Sequence, residues 1–198
     1  MKHDAARGEL TEGAARYLLV RHDSLMGLFQ RLAEPARSEA LAAFADSVAE
    51  HGGRSAESYR AENPDHLLPK IAEKASQLGW GSWTFELDGE SIVLTVRNSP
   101  FAQGFGNSIR PVCAPIAGML RAVTSLLFGA EAAASESSCA AAGGDVCVFR
   151  ATKRRKLPCW AGATAPTPPR RISPIRDMRS GCGDAIPPRS GKKSVSST

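Results

Sequence analysis

The stretch SESSCAAAGGDVCVFR (135–150) reads as a strand, a tight turn and a returning strand. The first strand is SESSC (135–139), the turn AAAGGD (140–145) and the second strand VCVFR (146–150). Gly143, Gly144 and Asp145 bring the positive-φ tolerance and side-chain turn chemistry of a hairpin loop. This hairpin carries Glu136, Cys139 and Cys147, and a further cysteine, Cys113, stands upstream near the start of a helix.

Cys113, Glu136, Cys139 and Cys147 are separated by 22, 2 and 7 residues. Three thiolates and one carboxylate suit tetrahedral zinc, and four protein ligands leave no open position for water, so such a site is structural. Its formal charge of about −2 calls for nearby N–H donors, which the positive end of the helix beginning near Cys113 supplies. The alternative is that the cysteines are buried small hydrophobes, as free cysteines often are. Spacing alone does not decide between the two, because this is no paired CxxC motif.

With GWGSW (79–83), NSPFA (98–102), PVCAPIAGML (111–120) and ESSCAAAGGDVCVF (136–149), the chain resembles the 4-vinyl reductase domain family over roughly residues 16–150. That family includes small hydrocarbon-binding proteins, a bacteriochlorophyll-biosynthesis accessory protein and the sensor domains of phenol- and xylene-responsive activators. The resemblance implies that Cys113, Glu136, Cys139 and Cys147 bind zinc, that the protein pairs as a homodimer, and that its fold is similar to the haem–nitric-oxide-binding and Golgi-tethering small-subunit group.

The chain has 198 residues, 42% of them hydrophobic and 23% charged, which describes a soluble globular protein. No apolar run approaches the roughly 20 residues of a membrane span. MKHDAARGEL at the start lacks the apolar core of a secretory signal. Five cysteines without an export signal argue for metal or free thiols over disulfides, and for a cytoplasmic location. The net charge of +5 hides a division: residues 1–150 carry 14 Lys/Arg against 18 Asp/Glu, net −4, and residues 151–198 carry 11 against 2, net +9.

Residues 1–15 are polar and small, and the expectation is a flexible start. RYLLV (16–20) reads as a short buried strand. Asp23 and Ser24 offer cap chemistry for a helix with Leu25, Leu28, Phe29 and Leu32 on one face. Pro35 opens a second helix carrying Leu41, Phe44, Ala45 and Val48, interrupted at Gly52–Gly53. A third follows Asn63-Pro64, with Leu67, Leu68, Ile71 and Leu78 as its stripe and a true start that Pro69 can delay. GSWTFEL (81–87) and SIVLTVR (91–97), joined through Asp88-Gly89-Glu90, form the clearest hairpin in the chain. Residues 98–105 read as a loop, and a helix with Ile116, Leu120, Val123 and Leu127 on one face precedes the hairpin at 131–150. The order predicts an α+β fold: an antiparallel sheet with helices packed on one side.

From residue 151 the character changes. Seven of 13 prolines fall there, and Leu, Ile, Val and Phe number five in 48 residues, the composition of a disordered tail. KRRK (153–156) can attract nucleic acid or phospholipid, but without aromatic interleaving beyond Trp160 the simpler reading is a solvated tail. Cys159 and Cys182 have no partner to which they can be assigned.

His3, His22, His51 and His66 are scattered, and no Ser/His/Asp set, phosphate loop or dinucleotide fingerprint occurs. A binding module fits better than an enzyme: a zinc-stapled domain for a small hydrophobic or aromatic molecule, sensory or regulatory in role. Tyr59, His66, Trp80, Trp83, Phe101 and Phe105 are its candidate pocket residues. The alternative that the resemblance carries is a tetrapyrrole vinyl-reductase-type enzyme or pigment carrier of (bacterio)chlorophyll synthesis. Against it, no flavin or nicotinamide site is legible to supply a hydride.

Overall fold

The computed structural model describes residues 1–62 and 64–154. The expected basic tail, with Cys159 and Cys182, lies outside them apart from its first four residues, as does Asn63. The chain opens with a three-stranded antiparallel sheet, β1 (Lys2–Asp4), β2 (Glu9–Glu12) and β3 (Ala15–Tyr17). Helices α1 (His22–Gln30), α2 (Ala36–Glu62) and α3 (Leu67–Gln77) follow. Next come β4 (Ser82–Asp88) and β5 (Ser91–Arg97), then α4 (Pro100–Phe105) and α5 (Ala114–Phe128), and last β6 (Ala132–Ser138) and β7 (Cys147–Lys153). The expected architecture of mixed helices and antiparallel sheet is borne out.

The second sheet has the order β4-β5-β7-β6, antiparallel throughout. Alternation along β5 buries Ile92, Leu94 and Val96, and alternation along β7 buries Cys147, Phe149 and Ala151. These six face one another in register as Ile92–Ala151, Leu94–Phe149 and Val96–Cys147. The two hairpins thus share one apolar face, on which α5 packs over β6 and β7 and α3 over β4. Each of the large fully buried side chains contributes about 1.5–3 kcal/mol.

Five local expectations are corrected. Residues 1–15 form the small sheet, whose strands are held by backbone pairing and by tight turns at Gly8 and Gly13 despite a polar sequence. RYLLV is no buried strand: β3 ends at Tyr17, and Leu18, Leu19 and Val20 are exposed. On α1 the buried positions are Met26 and Phe29, while Leu28 points to solvent. Residues 98–105 contain α4, opened by the Ser99 hydroxyl accepting from the Ala102 N–H, with Pro100 at the first helical position. The final strand runs to Lys153, past the expected boundary at 150. Pro69, by contrast, is accommodated without a break because it lies in the first turn of α3, where an amide N–H has no intrahelical partner.

The correction at Gly52–Gly53 has the largest consequence. Instead of breaking there, α2 runs unbroken for 27 residues. The glycines are contact points: a Cβ on Gly52 would lie 2.5 Å from Met119 Cε, and one on Gly53 3.3 Å from Ala122. Across the crossing, a Cβ on Gly118 would collide with the Ala45 carbonyl group. Small residues on both helices therefore let α2 and α5 approach closely, and this packing outweighs the intrinsic helix cost of about 1 kcal/mol per glycine. We predict that Gly118→Ala costs about 1–3 kcal/mol of unfolding free energy, because the obstruction is backbone and cannot rotate away. Urea unfolding measures this; an unchanged midpoint would mean that the two helices do not cross at Gly118.

Candidate metal centre and apolar cavity

Cys113, Glu136, Cys139 and Cys147 come together, each offering a ligand atom within 4.8 Å of the others. They arrive from different elements. Cys113 is the N-cap of α5, Glu136 lies on β6 just before a bulge, Cys139 follows the end of β6, and Cys147 opens β7. Gly143, at φ 90°, ends the 3-10 turn Ala140–Ala142 between the strands. At Gly144 a Cβ would collide with Ser138 Oγ and stand 3.1 Å from the Cys139 carbonyl oxygen, so the return of the chain demands glycine there.

The three thiols are free and buried. Cys113 Sγ lies 3.9 Å from Cys139 Sγ and 3.7 Å from Cys147 Sγ. A tetrahedral metal–thiolate centre with bonds of about 2.3 Å sets its sulfurs about 3.8 Å apart. Glu136 accepts the Cys113 backbone N–H on Oε2 at 2.9 Å, while its buried Oε1 has no hydrogen-bond partner. An orphaned buried carboxylate oxygen costs on the order of 1–3 kcal/mol or more, and a metal ion would satisfy it. Donors also surround the sulfurs: the Ala140 N–H on Cys147 and the Ser99 hydroxyl beside Cys113, each at 3.3 Å. The residues present fit a divalent cation that takes soft ligands.

Charge crowding points the same way. Burial and then the neighbouring Cys139 push the Glu136 carboxyl up to about 8. Contacts with Cys139 and Cys147, together with burial, push the Cys113 thiol far up. Cys113 draws Cys147 down, but Cys139 and burial outweigh it and leave that thiol at about 12. Cys139, receiving from Cys113 and Cys147, is the thiol drawn down and the first to ionise. Four adjacent acids cannot all give up their protons in a buried place unless a cation replaces them.

A second feature is a cavity of about 310 Å³ enclosed by β3, α2, α3 and the start of β4. Of the six expected pocket residues, Tyr59, Trp80 and Trp83 line it. His66, Phe101 and Phe105 do not. His66 is exposed at the turn before α3. Phe101 is core, stacked edge-on behind Trp80 with centroids 5.1 Å apart. Phe105 is buried beside α1, its carbonyl accepting from Gln30 Nε2. Sequence reasoning missed the walls contributed by Tyr17, Ala56, Ile71, Lys74 and Met119. For α3 the signal was available, since Ile71 and Ala75 share its buried stripe; nothing local marks Tyr17.

Residues 92–153 match the model of the 4-vinyl reductase domain, so the resemblance to that family is borne out over a stretch that holds all four clustered residues. Among solved structures the chain is similar to the phenol-responsive sensory domain of the transcription activator PoxR, in complex with phenol. The likeness has a TM-score of 0.66 and 20% identity, covering 77% of this chain and 84% of that one. It is also similar to a vinyl-4-reductase family protein from Methanocaldococcus jannaschii, at TM-score 0.43 and 15% identity over 68% of this chain and 91% of that one. A third is a trafficking protein particle complex subunit 3 from Naegleria fowleri covalently bound to palmitic acid, at TM-score 0.48 and 11% identity over 69% and 97%. At these identities the likeness is one of fold. No curated protein matches the chain.

The pH dependence of stability should change sign with metal. The Glu136 carboxyl titrates at about 8 in the fold against an ordinary 4.5, so the folded form holds an extra proton between those values. Its contribution is complete below about pH 4.5 and is lost as pH rises through about 8. Chelator-treated protein should therefore lose melting temperature as pH rises through this window. Metal-loaded protein should gain it, because binding requires the thiols to lose protons. Melts of both forms at matched pH decide, and parallel slopes would contradict the assignment.

Proposed function

We propose that this chain is a zinc-stapled binding domain for a small hydrophobic or aromatic molecule, with a sensory or regulatory role. The cavity walled by Trp80, Trp83, Tyr17 and Tyr59 carries this reading. Its volume, about 310 Å³, falls at the lower end of the roughly 300–1,000 Å³ of small-molecule sites and suits a one- or two-ring ligand. The lining is mostly apolar, with hydroxyl, imidazole and ammonium groups from Tyr59, His51 and Lys74 to orient a polar substituent. Among the described residues no helix is long and apolar enough to cross a membrane. The phenol-responsive sensory domain that shares the fold supports the sensory reading by analogy.

Cys113, Glu136, Cys139 and Cys147 would hold the zinc. Three sulfurs select a thiophilic ion, and four protein ligands complete a tetrahedron, so zinc here would supply structure and no reactive position. What the chain's own residues do is fix the ends of three elements on one another. Cys113 anchors the start of α5, and Cys139 and Cys147 anchor both sides of the last turn. Ser99, whose oxygen lies 3.3 Å from Cys113 Sγ, also caps α4, which carries Phe101 against Trp80 of the cavity. Through these contacts the cluster would hold the cavity wall in place.

Titration with 2-naphthol, followed through tryptophan fluorescence, tests the binding reading. The expected result is saturable quenching, lost at least tenfold in affinity when Ala56→Leu or Ala75→Leu fills the cavity, with zinc content still one per chain. No saturable binding by 2-naphthol or by a panel of other one- and two-ring aromatics would overturn it. Cys139→Ser and Cys147→Ser are each expected to lose the zinc and most of the soluble protein. Elemental analysis showing full zinc in both variants would refute the ligand assignment.

A further inference from the structure

The small N-terminal sheet is attached to the rest of the molecule in an unusual way. Its three strands pair only with one another, and among the described residues no backbone hydrogen bond joins residues 1–20 to the rest. None of its strand residues is fully buried, so the sheet has no core of its own. A three-stranded sheet without an apolar face is not stable alone and needs something to lie against. What it lies against is the cavity, since Ala15, Arg16 and Tyr17 of β3 form part of the wall.

One ion pair fastens it there. Glu12, at the end of β2, accepts from Lys74 Nζ of α3 across 62 residues of sequence. Both side chains are largely shielded, at 17% exposure for Lys74 and 25% for Glu12, and Lys74 itself lines the cavity. Gln77 Oε1 lies 3.2 Å from the same ammonium, and the N-terminal amine lies 3.9 Å from Glu12. Lys74 holds the Glu12 carboxyl below its ordinary range, so the pair is ionised at neutral pH. Behind the latch the chain runs out through residues 18–21, which have no regular structure and leave Leu18 and Leu19 more than 80% exposed.

We propose that the N-terminal three-stranded sheet is a hinged lid over the cavity, held shut by the Glu12–Lys74 ion pair and swung on residues 18–21. This rests on the cavity being a ligand site and adds how entry to that site is controlled. A lid joined by side chains alone opens without breaking any sheet ladder. Opening exposes only the Tyr17 face and the Lys74 ammonium. Lys74 and Glu12 are therefore positioning residues whose removal should change rates of exchange more than the shape of the cavity.

The test compares wild-type protein with Glu12→Gln, Lys74→Met and the charge-swapped pair Glu12→Lys/Lys74→Glu. Hydrogen exchange over residues 9–17 reads the lid directly and needs no ligand. Stopped-flow release of 2-naphthol, read by tryptophan fluorescence, gives the dissociation rate. Each single variant is expected to raise both rates threefold or more, with the melting temperature of the main domain unchanged, and the swapped pair is expected to bring both back toward wild type. Exchange at residues 9–17 unchanged in the single variants, or no recovery in the swapped pair, would overturn the lid. Failure of 2-naphthol to bind wild-type protein, with exchange behaving as expected, would count against the ligand reading and leave the latch standing.

Discussion

Three thiols and one carboxylate crowded into a buried space cannot all be charged on their own, and the last part of this fold is built around that constraint. Cys113, Glu136, Cys139 and Cys147 lie within 4.8 Å of one another at the meeting of α5, β6 and β7. Glu136 Oε1 has no partner in the protein. Paired sulfur distances of 3.7 and 3.9 Å are those of ligands around one tetrahedral ion of about 2.3 Å bond length. A disulfide would need a sulfur–sulfur separation near 2.05 Å, and packing alone would not gather a carboxylate among the thiols. The convergence has a simple chemical account only with a cation in it.

Two physical routes join this cluster to the cavity. Across the sheet, Cys147 faces Val96, which faces Trp83 on β4, so the cluster and the cavity wall stand about two strand spacings, roughly 10 Å, apart. Along the second route Ser99 contacts the Cys113 sulfur and caps α4, and Phe101 of α4 meets the Trp80 ring edge-on. Trp80 in turn accepts the Trp83 indole N–H on its carbonyl at 3.0 Å, which ties the two routes together. Rigidity at one end is thus delivered to the other by packed side chains and one row of a sheet. The opposite wall, β3, has no such bracing, and that asymmetry suits a site whose floor is fixed and whose cover moves.

Where the sequence is periodic or chemically explicit, it is readable. The hairpin at 82–97 alternates cleanly around a Gly89 turn, the ligand set announces itself by residue type, and α5 carries its stripe from Ile116 to Leu127. What is not readable depends on tertiary context. Gly52 and Gly53 look like a helix stop until Met119 and Ala122 are brought opposite them. Strands of three or four polar residues carry no periodic signal, so the N-terminal sheet is invisible before its pairing is known. Phe101 and Phe105 look like pocket aromatics by type, yet the core claims them, while Ala56 becomes a cavity wall by being too small to fill the space. A cavity is defined by what is missing, and a sequence reports only what is present.

X-ray absorption at the zinc edge of the purified chain tests the central claim most directly. The account predicts one zinc per chain with three sulfur neighbours at about 2.3 Å and one oxygen at about 2.0–2.2 Å. Absence of bound metal, or a first shell of oxygen and nitrogen alone, would contradict it.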